Sequence, residues 1–174
     1  GNLLEDARAA CRLVRLPQPL LTEDDLSRIA SIDSESFHVA RLRAVFERQA
    51  GPGALARALD ALTGAAEEAV RAGANIIILS DRAAAHEVPI PSLLAVGAVH
   101  HHLMQAGMRT FADIVVESGD ALSAHDLAAL IGYSASGILP YGAHAQIERL
   151  AAQGDLTDAA GRALTAAEAI ENYN

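Results

Sequence analysis

The fold is decided by residues 75–82, which read NIIILSDR. The three consecutive isoleucines and the leucine after them leave neither face of a strand polar. This pattern is typical of a central parallel strand that is covered by helices on both sides. The run then stops at the polar residues Ser80, Asp81 and Arg82. We therefore predict a buried parallel strand with polar groups at its carboxyl end.

The same strand-then-helix arrangement recurs along the chain. Period-two alternation or short apolar runs predict the strands, and apolar residues at helical spacing predict the helices. Such alternation predicts an α/β fold of repeated βα units, with a mainly parallel sheet and right-handed crossovers. The predicted strands are 37–46, 75–79, 110–116 and 136–140; the predicted helices are 54–73, 92–107, 123–131 and one beginning near residue 143.

This interpretation divides the chain into three regions. Residues 1–35 form an N-terminal arm with two prolines and a short helix from the N-cap Thr22 to about Ala30. Residues 36–155 form the βα-repeat core. Residues 156–174 are Ala-rich and predict a C-terminal helix, which we expect to lead toward a following domain.

Composition narrows the class of protein. The 13 basic residues against 22 acidic ones give a net charge of -9, which argues against a nucleic-acid partner. No apolar run approaches the roughly 20 residues that span a bilayer. The N-terminus lacks a basic stretch before an apolar one, so we expect no signal peptide and a soluble, cytoplasmic protein. The single cysteine, Cys11, has no partner for a disulfide within the chain.

The candidate site lies where the predicted strands end, because ligands of parallel α/β folds meet the loops at the carboxyl ends of strands. The candidates are Asp81, Arg82, Glu117 and Tyr141. The Asp81-Arg82 pair could bind a polar ligand, but pairing with a neighbouring loop is the favoured interpretation. Burial of Glu117 would raise its pKa toward the range of a general base. No nucleophile with an adjacent base can be assigned, so an anchoring role for Glu117 is favoured.

Other motifs give no positive indication of a cofactor or metal. Successive helical residues point about 100° apart, so the imidazoles of His100, His101 and His102 cannot converge on one metal ion. His86 and His125 could each join one of them, but we predict no metal site. Neither of the two Gly-rich phosphate-binding patterns occurs, so a flavin or nucleotide site has no support.

The ordered block from the strand through the following helix resembles the central domain of the glutamate synthase large subunit. The block is GANIIILSDR at 73–82 followed by PIPSLLAVGAVHHHL at 89–103. Shorter stretches that match the same family lie at residues 2–4, 16–17, 115–120, 132–133, 140–141 and 171–173. The resemblance covers nearly the whole chain.

The resemblance implies a module of a longer polypeptide. In that family an N-terminal glutaminase domain releases ammonia from glutamine. A later β/α-barrel synthase domain carries FMN and an iron-sulfur cluster and makes glutamate from 2-oxoglutarate. The central domain joins the two, is built like a reduced β/α barrel without a cofactor, and helps bound the ammonia path. A small electron-donating subunit is a further possible partner of the parent enzyme.

This chain departs from the family pattern at a few polar positions. Where the family tends to carry an arginine and a second histidine around the helix after the Glu-Ser/Thr-Gly turn, this chain has Leu122 and Asp126 and keeps His125. Where the family tends to have an asparagine before Pro-Tyr, this chain has Leu139.

Three hypotheses follow. The first is a non-catalytic connecting domain of a glutamate synthase. The second is a stand-alone α/β enzyme or ligand-binding protein that uses Asp81, Arg82 and Glu117. The third is an assembly module, which predicts an exposed apolar patch at the proline arm around residues 16–21 or at the C-terminal helix.

Overall fold

The computed structural model describes residues 14–32 and 34–174, so Cys11 and the stretch at 2–4 lie outside the described residues. Six α-helices and six strands are present in this part of the chain. The strands are β1 Val39–Arg43, β2 Val45–Glu47, β3 Ile76–Ser80, β4 Glu87–Pro89, β5 Asp113–Glu117 and β6 Ala135–Leu139. The helices are α1 Glu23–Ala30, α2 Ala54–Arg71, α3 Ser92–Gln105, α4 Ala124–Gly132, α5 Tyr141–Gln153 and α6 Ala166–Tyr173.

The main sheet has the order β1-β3-β5-β6, and every neighbouring pair is parallel. Because the strands lie side by side in chain order, each crossover helix spans two adjacent strands, as in a β/α barrel. Over residues 14–32 and 34–174 this sheet has four strands and does not close. The predicted α/β fold that resembles a reduced barrel is therefore confirmed.

The two faces of the sheet are covered differently. Alternate strand residues such as Ile77, Leu79 and Ile114 pack with the buried side chains of α2, α3 and α4. The opposite face, which includes Ile78 and Val115, packs against the N-terminal arm and α1. Helices thus cover one face as predicted, whereas the arm supplies much of the cover on the other.

The arm joins the sheet at its β6 edge. Leu20 forms an isolated parallel bridge with Ile138, and the Leu21 amide donates to the Ile138 carbonyl at 2.8 Å. Leu21 is only 1% exposed. The apolar residues that follow the two prolines, Leu20 and Leu21, are therefore packed in the chain's own core.

The predicted single strand at 37–46 is wrong, because the chain changes sheets at Ala44. The Ala44 amide donates to the Ser80 carbonyl on β3, whereas the Ala44 carbonyl accepts from the Ile90 amide just beyond β4. Residues before Ala44 therefore form β1 of the main sheet. Residues after it form β2, which pairs with β4 in a separate antiparallel ladder that the sequence did not indicate.

Other boundaries shift by a few residues. A short 3₁₀ turn, Arg109–Phe111, takes the place of the predicted start of the third strand, and β5 begins at Asp113. α4 continues through Gly132, and the left-handed residue after it is Ser134 with φ 74°. At the C-terminus only Ala166–Tyr173 is helical, since the preceding turn closes through a bridge between Thr157 and Ala163.

Among the residues that the structure describes, no helix is both long and apolar enough to cross a membrane.

Candidate functional site

The structure brings all four sequence-predicted residues together at the carboxyl edge of the sheet. Asp81 and Arg82 follow β3, Glu117 ends β5, and Tyr141 begins α5 after β6. Ser80 and Glu117 are register partners, so the two strand ends lie side by side. The polar groups of three consecutive βα units therefore meet in one place.

Glu117 is the centre of this group. Its side chain is 2% exposed; Oε1 accepts from Nε of Arg82, and Oε2 accepts from the guanidinium of Arg41. Burial raises the pKa of Glu117, but the Ser80 hydroxyl and the two guanidinium groups outweigh it, so the pKa is lowered from its ordinary value of 4.5. The expected rise toward a general-base range is therefore not found, and Glu117 is held as a carboxylate.

Arg82 connects Glu117 to the rest of the edge. A terminal nitrogen of its guanidinium donates to Oε1 of Glu23 on α1, and the guanidinium carbon lies 4.0 Å from the centre of the Tyr141 ring. Desolvation lowers the pKa of Arg82, but the two carboxylates reverse this and raise it. One cation thus joins β3, β5, α1 and α5.

Asp81 anchors the neighbouring loop from a buried position. Oδ2 accepts from the Gly119 amide at 2.7 Å and from the Ser92 hydroxyl at 3.2 Å, and the residue is 4% exposed. No donor of the described residues reaches Oδ1 with hydrogen-bond geometry, although the Tyr141 hydroxyl interacts with the carboxyl group. Burial dominates and raises the pKa of Asp81. Burial and the Asp81 carboxylate likewise raise the pKa of Tyr141.

A second set of bonds fixes the loop after β5. The Ser118 hydroxyl donates to Asp120 Oδ1 at 2.8 Å and accepts from the Ala121 amide at 3.0 Å. Asp120 Oδ2 accepts from the Ser92 amide at 3.1 Å. The residue at the N-cap of α3 is Pro91, which offers no side-chain acceptor, so Asp120 supplies one from a different loop.

Close packing of two glycines completes the edge. A Cβ added to Gly142 would lie 2.2 Å from the carbonyl oxygen of Gly119, and a Cβ on Gly119 would lie 2.6 Å from the Tyr141 hydroxyl. The β5 loop therefore touches the first turn of α5, and this contact sets the position of the Tyr141 ring.

Sequence reasoning missed Arg41 and Glu23. Arg41 lies within β1 and reaches Glu117 on β5, so one strand of the sheet, β3, and 76 positions in sequence separate the partners. Arg41 and Glu117 share the sheet face that the arm covers, since strand residues two apart point to the same side. The sequence pattern that could have identified Arg41 is a charged residue within an otherwise alternating strand. Glu23 carried only the signal of an acidic first helical turn.

The three consecutive histidines have three different partners. His100 Nδ1 accepts from Arg109 Nε at 3.0 Å, His101 Nδ1 lies 3.1 Å from the Gly97 carbonyl, and His102 Nε2 lies 2.6 Å from Glu67. The imidazoles do not converge on a common point.

Two of the positions that depart from the family pattern have local roles. Asp126 forms a capping box with Ser123 at the start of α4, which lowers the pKa of Asp126. Leu139 is fully buried against the arm. Another residue at position 126 would have to keep the capping box, and a polar residue at position 139 would be buried.

A cavity of about 720 Å³ lies beside Arg82 and Tyr141. The walls come mainly from α1, α5 and α6, with Arg82 added by the loop after β3, so four carboxylates face one guanidinium. The acidic lining residues are Glu23, Asp24, Glu148 and Glu171. This charge balance does not fit a flavin phosphate, because the carboxylates would repel it.

Comparison with known proteins places the chain in a family. A family model described as the glutamate synthase central domain matches residues 1–174. An NADH glutamate synthase from Schizosaccharomyces pombe is 35% identical over 99% of this chain. The chloroplastic ferredoxin-dependent glutamate synthase of Spinacia oleracea is 42% identical over 81%, and the NADPH glutamate synthase large chain of Bacillus subtilis is 35% identical over 90%.

The matched regions cover 8%, 9% and 10% of these three relatives, so the chain spans about a tenth or less of their length. The family model, in contrast, covers all of this chain. The observed α/β architecture agrees with the fold that the sequence block at residues 73–103 implied. The chain therefore belongs to the glutamate synthase central domain family.

Proposed function

We propose that the chain is the central connecting domain of a glutamate synthase, which converts glutamine, 2-oxoglutarate and a reductant into two molecules of glutamate. In this proposal the domain is not catalytic itself. It links a glutaminase domain to an FMN-binding synthase domain of the same polypeptide, and it helps bound the path of ammonia between them. The parent enzyme is cytoplasmic and takes electrons from a donor such as a small subunit.

The observation that carries this proposal is that both carboxylate oxygens of Glu117 already accept hydrogen bonds from arginine side chains. A βα fold places its chemistry at the carboxyl ends of its strands, and Glu117 is the most buried acid there. Both of its oxygens are bonded to guanidinium groups, and its pKa is lowered. A carboxylate in this state is a poor proton acceptor at neutral pH. Glu117 is therefore better suited to holding three βα units together than to acid-base chemistry.

The chain's own donor groups do not suit the cofactors of the parent enzyme. An iron-sulfur cluster needs about three or four cysteine thiolates, and the chain has one cysteine. The acidic cavity beside Arg82 is unfavourable for the phosphate of FMN. We therefore assign FMN and the cluster to other domains of the polypeptide.

The exposed apolar side chains support a connecting role. Leu93 and Leu94 on α3 and Ile131 on α4 are each about 40% exposed. Tyr133 is 48% exposed, and a Cβ added to Gly97 on α3 would lie 3.4 Å from its ring. The hypothesis of an assembly module placed such a patch at the arm or the C-terminal helix, whereas Leu21 and Ala169 are buried in the chain's own core. The α3-α4 surface, defined by Leu93, Leu94, Ile131 and Tyr133, is thus the face we assign to a neighbouring domain.

Coupling measurements on the full-length enzyme test the linking role. We expect Leu94→Glu to leave glutaminase activity and ammonia-driven glutamate synthesis intact. Glutamine-driven synthesis should fall severalfold while free ammonia appears in solution, because the two centres no longer communicate through a closed path. Gln105→Glu, an exposed change on the same helix, is the matched control. Unchanged coupling in Leu94→Glu would contradict a linking role for this surface.

A second candidate function is ligand binding by the chain alone, which the cavity beside Arg82 favours because its volume lies in the usual range of ligand sites. Calorimetry of the 174-residue chain with glutamine, 2-oxoglutarate and FMN distinguishes the two functions. A connecting domain gives no heat of binding and no turnover with any of them. Tight binding or turnover that Arg82→Met abolishes would favour the second function.

A further inference from the structure

The small antiparallel ladder of β2 and β4 brings together an imidazole and two carboxylates that the carboxyl-edge network does not use. The ligand atoms of Glu47, His86 and Glu87 all lie within 4.8 Å of one another. Glu47 and Glu87 are direct register partners, and His86 Nε2 lies 3.7 Å from Glu47 Oε1. Two carboxylates directly opposite each other in a ladder repel unless a cation lies between them.

We propose that Glu47, His86 and Glu87 form a binding site for a divalent transition metal ion, with zinc as the best-suited ion. One imidazole nitrogen and two carboxylate oxygens are donors that zinc accepts, and a three-residue set leaves a fourth position for water. Zinc-ligand bonds are about 2.0–2.2 Å long, so donors up to 4.8 Å apart must move slightly closer. The side chains of Glu47 and His86 are 62% and 68% exposed, which leaves both free to do so.

Glu87 is the fixed ligand of the set. Its side chain is 8% exposed, and Oε2 accepts from the Ala84 amide at 2.7 Å and from the Arg43 guanidinium. All the described hydrogen bonds of this carboxylate use Oε2, so Oε1 is the oxygen that remains for the metal. Arg43 offsets one of the two carboxylate charges. With neutral His86, the cluster therefore keeps one net negative charge, which still attracts a divalent cation.

The site's position gives it a structural consequence. His86 ends the loop that begins after β3, Glu87 begins β4, and this loop carries Arg82. Glu47 belongs to β2, which follows β1 through Ala44, and the Arg48 amide donates to the His86 carbonyl at 2.9 Å. A metal ion bound here would clasp the β3-β4 loop to β2. The loop would then hold Arg82 in place between Glu117 and Glu23.

Zinc titration of the metal-free 174-residue chain tests the proposal, with a chromophoric chelator as competitor. We expect one equivalent of zinc to bind. Both His86→Asn and Glu47→Gln should weaken this binding by about tenfold or more, because each removes a direct ligand. His125→Asn, which removes an exposed histidine of α4, is the matched control and should bind as the parent does. Glu87 is left unchanged, since its contacts with Arg43 and Ala84 hold the loop.

Two further measurements make the outcome decisive. Zinc should raise the thermal midpoint of the parent and slow amide exchange at residues 83–86, and His86→Asn should lose both effects. Circular dichroism shows whether each variant is folded as the parent is. The proposal is overturned if zinc binds only at millimolar concentration, or if folded His86→Asn and Glu47→Gln retain the parent's affinity.

Discussion

Arg82 donates through Nε to Oε1 of Glu117, and this ion pair joins the ends of β3 and β5. The carboxylate is 2% exposed, whereas Arg82 keeps 43% of its side chain in solvent. The desolvated partner of the pair is therefore the anion. Loss of the cations would leave a buried charge without compensation, whereas the half-exposed cations could still be solvated by water.

Removing the charge of Glu117 should destabilise the chain. Glu117→Gln keeps the shape but leaves Arg41 and Arg82 without their shared partner. Loss of one partner of a fully buried pair costs about 3–5 kcal/mol, and solvent around the two arginines reduces this to about 2 kcal/mol. Urea unfolding measures the change. Glu148→Gln, at an exposed position of α5, should stay within about 0.5 kcal/mol of the parent; equal losses in both variants would disprove a special role for Glu117.

The contribution of Glu117 should depend on pH in a defined direction. Its pKa is lowered on folding, so the folded chain binds the proton less readily than the unfolded chain. The stabilisation is thus fully present above the ordinary pKa of 4.5 and is lost as pH falls through the lowered folded pKa. We expect the difference in unfolding free energy between the parent and Glu117→Gln to shrink between pH 5 and 3. A difference that stays constant over this range would contradict the assignment.

Asp81 should show the opposite sign. Burial raises its pKa, so the folded chain binds the proton more readily than the unfolded chain does. Its contribution is therefore favourable at low pH and is lost as pH rises through the raised folded pKa. Asp81→Asn keeps an oxygen to accept from the Gly119 amide and removes the buried charge. We expect this variant to be at least as stable as the parent at pH 7 and to lose that advantage near pH 4.

Urea unfolding of Asp81→Asn at several pH values checks this sign. A loss of more than about 1 kcal/mol at pH 7, the worth of an ordinary hydrogen bond, would show that the Asp81 charge stabilises the fold. Ser31→Asn is a suitable control, because it introduces the same amide at an exposed helix end.

The parts of the fold that could be predicted are those with a local signal. The apolar run through Ile77 ends in polar residues, and Thr22 and Ser123 cap helices that begin where the spacing predicts. The division of residues 37–46 between two sheets has no such signal. It depends on hydrogen bonds from Ala44 to Ser80 and from Ile90 to Ala44, which join segments far apart in sequence.

The candidate site shows the same difference between local sequence signals and contacts that join distant segments. Asp81, Arg82, Glu117 and Tyr141 could be grouped because the carboxyl ends of parallel strands meet at one edge. Their chemistry could not be predicted in full, since Arg41 and Glu23 reach the edge from other elements. Arg41 adds to the lowering of the Glu117 pKa by Ser80 and Arg82, and Glu23 accepts a hydrogen bond from Arg82. The same limit applies to Glu47 and His86, which the β2-β4 ladder alone brings together.

The capping box at the start of α6 predicts a carboxylate whose pKa is strongly lowered. Glu168 accepts from the Thr165 amide at 2.9 Å and from Arg162 at 3.0 Å, and these bonds lower its pKa to about 2. An NMR titration should therefore show Glu168 ionised at pH 3. Arg162→Gln should raise the pKa toward 4.5, whereas Arg149→Gln on α5 should leave it unchanged. A Glu168 pKa that stays the same in Arg162→Gln would mean that the cap bonds alone set its value.

The contact between Gly142 and Gly119 predicts the most damaging small substitution. A methyl group at Gly142 would lie 2.2 Å from a backbone oxygen, which cannot turn away as a side chain could. The first turn of α5 would have to shift, and with it the Tyr141 ring under Arg82. We expect Gly142→Ala to lower the free energy of unfolding by about 3 kcal/mol. Gly64→Ala within α2 meets nothing within 4 Å and should raise it by about 0.5–1 kcal/mol. Similar stabilities of the two variants in urea would show that the loop and helix are not in close contact.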